Sequence, residues 1–96
     1  MATYISLVNW TDQGIMSVKD SPTRLDAARA VAKKYGCTMK DFYLTIGAAD
    51  MVAIIEGPDD ESVARFSLAL GSSGSVRTTT MKAFSEDSYR KIIGSL

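Results

Sequence analysis

From Thr3 to Trp10, apolar residues fall on both alternating faces: Ile5 and Leu7 on one, Tyr4, Val8 and Trp10 with Ser6 on the other. A strand with two apolar faces reads as central and covered twice. Met51 to Glu56 is almost wholly apolar and reads the same way, with Gly57-Pro58 breaking it. Thr38 to Ile46 alternates, with Phe42, Leu44 and Ile46 against Asp41, Tyr43 and Thr45. Leu44 to Val52 joins these last two runs. Gly47 there supplies the φ freedom of a sharp reversal, and Asp50 can bond local backbone N–H groups. The stretch therefore predicts a central β-hairpin. Val76 to Phe84, rich in threonine, is the fourth strand.

Between the strands the apolar period lengthens to that of helices. Thr11 can cap a short turn over Asp12, Gln13 and Gly14. Ser21 and Pro22 stand as N-cap and first residue of a longer helix, with a stripe at Leu25, Ala28, Val31, Ala32 and Tyr35 and with Gly36 at C′. A second helix opens at Asp59 or Asp60, carries Val63, Phe66, Ser67 and Leu70 inward, and ends at Gly71. Ser85 caps a final helix in which Tyr89, Ile92, Ile93 and Leu96 recur at helical spacing. The order is β-α-β-β-α-β with an extra C-terminal helix. That predicts an α+β, ferredoxin-like fold, both main helices packing on one face of a four-stranded antiparallel sheet. Its 96 residues suffice for one domain, 1–96.

Composition narrows the chemistry. Eleven cations balance eleven anions, which argues against a nucleic-acid partner. The strand Met51 to Glu56 also lacks the aromatic and basic side chains with which a sheet of this topology would stack RNA bases. Histidine is absent, which removes the commonest general base and metal ligand. The single Cys37 forms no internal disulfide or thiolate cluster and reads as a small buried hydrophobe. No transition metal and no cofactor are implied. No signal peptide and no apolar run of bilayer-spanning length stand out, so the expected place is the cytoplasm, off the membrane.

Four stretches carry a family resemblance: Thr3 to Gly14, Ser21-Pro22 with Arg24 to Ala28, the hairpin, and Val76 to Phe84. In them the chain resembles the GYD-domain proteins, small bacterial and archaeal proteins related to the dimeric α/β-barrel superfamily. Gly47 and Asp50 match the Gly-x-Tyr-Asp signature, while Ala49 stands where the tyrosine belongs. A role resting on that phenol is not implied here. The resemblance implies the fold and dimerisation, and no reaction.

Six residues are candidates for ligand binding: Tyr4, Asn9, Tyr43, Thr45, Asp50 and Arg77. Tyr4, Asn9, Tyr43 and Thr45 are taken to line a pocket on the open face of the sheet, or, for the tyrosines, a dimer interface. Asp50 is either an acid–base group or a turn residue. Arg77 suits a carboxylate or another anion, or a plain salt bridge. None forms a recognisable catalytic pair. The expectation is a non-enzymatic or small-molecule-binding homo-oligomer. The alternative is a cofactor-independent monooxygenase- or isomerase-like enzyme using Tyr43, Asp50 and Arg77. A bare apolar sheet face further predicts a two-fold dimer with sheets facing, the last helix closing an edge or reaching the partner.

Overall fold

The computed structural model describes residues 1–96. Four strands, β1 (Ala2–Trp10), β2 (Thr38–Leu44), β3 (Met51–Gly57) and β4 (Val76–Ala83), form one sheet in the order β2-β3-β1-β4. Every neighbouring pair is antiparallel. The helices are α1 (Asp12–Met16), α2 (Ser21–Lys34), α3 (Asp60–Ser72) and α4 (Glu86–Gly94), with a 3-10 turn at Val18–Asp20. This is the ferredoxin-like βαββαβ arrangement with a C-terminal helix.

The two apolar parities of β1 become two different faces. Tyr4, Ser6 and Val8 sit opposite Ile55, Ala53 and Met51 of β3, and all six are buried. Ala32 of α2 and Val63 and Phe66 of α3 close over this side, with Cys37 filling the same core as a small hydrophobe. The other parity carries Ile5, Leu7, Val52 and Ile54, which are half-buried by sheet neighbours alone.

Helix ends follow local chemistry. Thr11 accepts the Gly14 N–H, Asp59 the Ser62 N–H and Ser85 the Ser88 N–H, each as an N-cap. Ser21 departs from its expected role. The 3-10 turn runs straight into α2, so Ser21 is already helical and Asp20 holds the cap position without a side-chain bond. β2 ends at Leu44, two residues earlier than its alternation suggests, and Ile46 stands fully exposed beyond the sheet. A register irregularity between Met39 and Asp41 interrupts β2.

The hairpin connection spans residues 45–50. Gly47 takes φ +138°, a conformation that L side chains rarely adopt, as the reversal demands. Gly14 is required for a different reason. A Cβ there would lie 1.9 Å from the Ser75 carbonyl oxygen, so only glycine lets α1 meet the α3–β4 connection.

Candidate functional site

Within its own loop Asp50 bonds only through its backbone carbonyl, which accepts the Thr45 N–H at 2.9 Å. Its carboxylate Oδ2 accepts the Trp10 backbone N–H at 3.0 Å, while its own N–H donates to Asn9 Oδ1 at 2.9 Å and to the Val8 carbonyl at 3.2 Å. Asp50 and Asn9 together tie the hairpin loop to the end of β1. Thr45 stays inside the loop, its hydroxyl donating to the Ala49 carbonyl at 2.7 Å. Tyr43 pairs across from Val52 and is exposed on the open face, the side of Ile5 and Leu7.

Tyr4 lies on the opposite face from Tyr43. Its ring is buried beneath the helices, and its hydroxyl donates to Asp60 Oδ1 at the start of α3. Lys82 Nζ, from β4, sits 3.2 Å from the same carboxylate oxygen. The hydrogen bond to Asp60, reinforced by burial, pushes the Tyr4 phenol up to about 12. That bond and then Lys82 hold the Asp60 carboxyl below the usual carboxylate range. Acid–base catalysis favours groups that titrate near the working pH. Here both partners are driven away from neutrality, the phenol upward and the carboxylate downward. At pH 7 the cluster is a neutral donor, a fixed anion and a fixed cation, suited to holding shape or orienting a polar ligand.

Deeper along the same face runs a line of hydroxyls. Ser6 Oγ and Thr80 Oγ1 are 3.1 Å apart, and Ser67 Oγ lies 3.4 Å from Thr80 Oγ1. Ser67 and Thr80 line a groove of about 680 Å3 between α3 and β4, which Tyr4 and Asp60 flank and Arg77 borders, while Ser6, beside Thr80 on β1, lies outside the groove lining. The structure thus gathers Tyr4 and Arg77 at one groove, pairs Asn9 with Asp50 elsewhere, with the Thr45 N–H bonded to the Asp50 carbonyl, and leaves Tyr43 apart from both. A second cavity, of about 90 Å3, lies beneath α2 against Trp10, Leu25, Met39 and Phe42. It is well under the few hundred Å3 of ordinary ligand pockets.

Asp60, Lys82 and Ser67 are members of the groove that the sequence did not single out. Asp60 reads along the chain as one of three acids opening a helix, and its partner Tyr4 is 56 residues away. The available signal was Ser6, a polar residue set on the parity that also carries Tyr4 and Val8.

The sequence profile of the GYD domain matches residues 4–93. The chain belongs to the GYD domain family. A curated relative of this GYD-domain chain is the glutamine synthetase and cystathionine beta-lyase binding protein of Thermus thermophilus. It is 33% identical over 84 residues, which make up 86% of this chain and 88% of the relative. Among solved structures, MtbAldR superposes with a TM-score of 0.68 at 16% identity, over 88% of this chain and 52% of that one. The GYD-domain chain therefore spans about half of MtbAldR. TTHA0845 from Thermus thermophilus superposes with a TM-score of 0.57 at 22% identity, over 88% of this chain and 95% of that one. At those identities the likeness is one of fold.

Proposed function

We propose that this GYD-domain chain acts as a homodimer closed sheet against sheet, and that the dimer is a protein-binding module with no catalytic step of its own. The observation that carries the dimer is the uncovered face of the sheet. Ile5, Leu7, Val52, Ile54 and Met81 lie on it, and no helix packs over them. A lone soluble chain would hold that face in water at a cost of roughly 25 cal/mol per Å2 of apolar area. Strand rise and spacing give the face a footprint of roughly 25 by 19 Å. That is about 500 Å2, short of the roughly 800 Å2 per partner of a standard interface. The exposed stripe of α4, Tyr89, Ile92 and Ile93, with Leu96 just past its end, can supply the difference by reaching the partner.

The protein-binding role is supported by the relative named for binding glutamine synthetase and cystathionine beta-lyase. Calorimetric titration of the purified chain with those two enzymes from its own organism tests it. Saturable, stoichiometric heat with either is the expected result. No heat with both at tens of micromolar protein removes the role.

The α3–β4 groove favours a second reading, a small-molecule site flanked by Tyr4 and bordered by Arg77. An enzyme built there would need a group poised near neutrality, and the charges around Tyr4 and Asp60 work against that. Binding is the better-supported use of the groove.

A further inference from the structure

We propose that the free edge of β4, with the groove between it and α3, takes up an extended acidic segment of a partner protein as an added β-strand. The proposal rests on the protein-binding reading above and gives it a place and a chemistry.

The sheet has two edges, β2 and β4, and they differ. β2 is broken by its irregularity between Met39 and Asp41, with Lys40 reaching Glu56 at 3.8 Å. Such a break and an edge lysine are devices that keep strands from pairing. β4 has neither. Its register with β1 is continuous from Val76 to Ala83, and it contains no proline or glycine. Alternate residues of such a strand present N–H and C=O groups outward with no partner. The groove supplies walls as well as an edge. Ala64, Leu68 and Gly71 of α3 face Thr78, Thr80 and Lys82 of β4 across it. Leu68 is 74% exposed, an apolar side chain facing water along that wall. An edge strand beside a helix offers what strand addition uses: main-chain bonds for affinity and side pockets for choice.

Charge selects the occupant. β4 carries Arg77 and Lys82 and no acid. Lys82 is held by Asp60, but Arg77 is in none of the four salt bridges. A second copy of β4 would bring the same two cations and set like charges across the ladder, which disfavours self-pairing. A segment with a carboxylate near Arg77 and small or β-branched side chains toward Leu68 complements the site.

The test uses two blocked hexapeptides of alternating threonine and valine, one with a central glutamate and one with a central lysine. They are titrated into the 15N-labelled full chain while backbone amide exchange is followed. The acidic peptide is expected to slow exchange of the outward amides of β4 tenfold or more, with β2 unchanged, and to bind at least tenfold tighter than the lysine peptide. Arg77→Glu should reverse that preference, and Leu68→Arg, at an exposed position, should abolish binding. Equal binding of both peptides overturns the proposal. So does protection on β2 or the open face, undiminished binding by Leu68→Arg, or a halving of the assembly's mass when peptide binds. Partner enzymes that bind wild type and Leu68→Arg alike would remove this site and leave the protein-binding role. Enzymes that bind neither would remove the role itself.

Discussion

Tyr4 and Asp60 show how one long-range hydrogen bond sets two titrations in opposite directions. Tyr4 is raised from 10.0 to about 12 in the folded chain, so its contribution is fully present below pH 10 and lost as the pH climbs toward 12. Asp60 is lowered, so its contribution is present above the unfolded carboxylate value and lost as the pH falls through the folded one. Replacing Tyr4→Phe should flatten the stability profile between pH 10 and 12. Urea melts across that range check it, and an unchanged alkaline limb would contradict the bond. Gly14→Ala tests a purely steric requirement. The new Cβ meets backbone, the Ser75 carbonyl, which cannot swing aside as a side chain can. A loss of about 1–3 kcal/mol is expected from such overpacking, read by chemical denaturation. Asp50→Ala leaves the Trp10 N–H without its acceptor and should cost about 1–3 kcal/mol.

The elements were largely legible because their signals are local. Period-two and helical patterns, the caps at Thr11 and Ser85, and the two apolar parities of β1 and β3 appear in the fold, and of the two acids that could cap α3 it is Asp59 that does. What failed to show locally was decided by neighbours. Ile46 continues the alternation of β2, but β3 begins at Met51 and pairs with Leu44, so no strand partner reaches Ile46. Tyr4 and Tyr43 both read as half-polar strand tyrosines, and only the pairings Tyr4 with Ile55 and Tyr43 with Val52 put them on opposite faces. The Tyr4–Asp60–Lys82 cluster draws on three elements, and no spacing along the chain announces it. The final helix is legible in the sequence, which leaves it either closing an edge or reaching the partner. α4 buries no residue in the chain alone, and nine residues is a marginal length for an isolated helix. Its amides should therefore exchange fast in a monomeric variant and slowly in the wild-type assembly. Equal rates in both would place α4 outside the interface.

At the scale of the whole molecule, the chain measures 49 × 30 × 17 Å and no helix is long and apolar enough to cross a membrane. The helix face of the sheet is closed by Ala32, Val63 and Phe66, while the opposite face keeps Ile5, Leu7, Val52 and Ile54 half-covered. A partner sheet would complete the second core as α2 and α3 complete the first. Leu7→Glu places a charge at the middle of that face without touching the helix side, so it should split the assembly and leave the fold intact. Sedimentation velocity at micromolar concentration, wild type beside Leu7→Glu, decides the matter. Sheet-on-sheet pairing predicts twice the mass of the 96-residue chain for wild type and a folded single chain for the variant. A wild-type protein that sediments as a single chain, or a Leu7→Glu variant that remains a dimer, contradicts it.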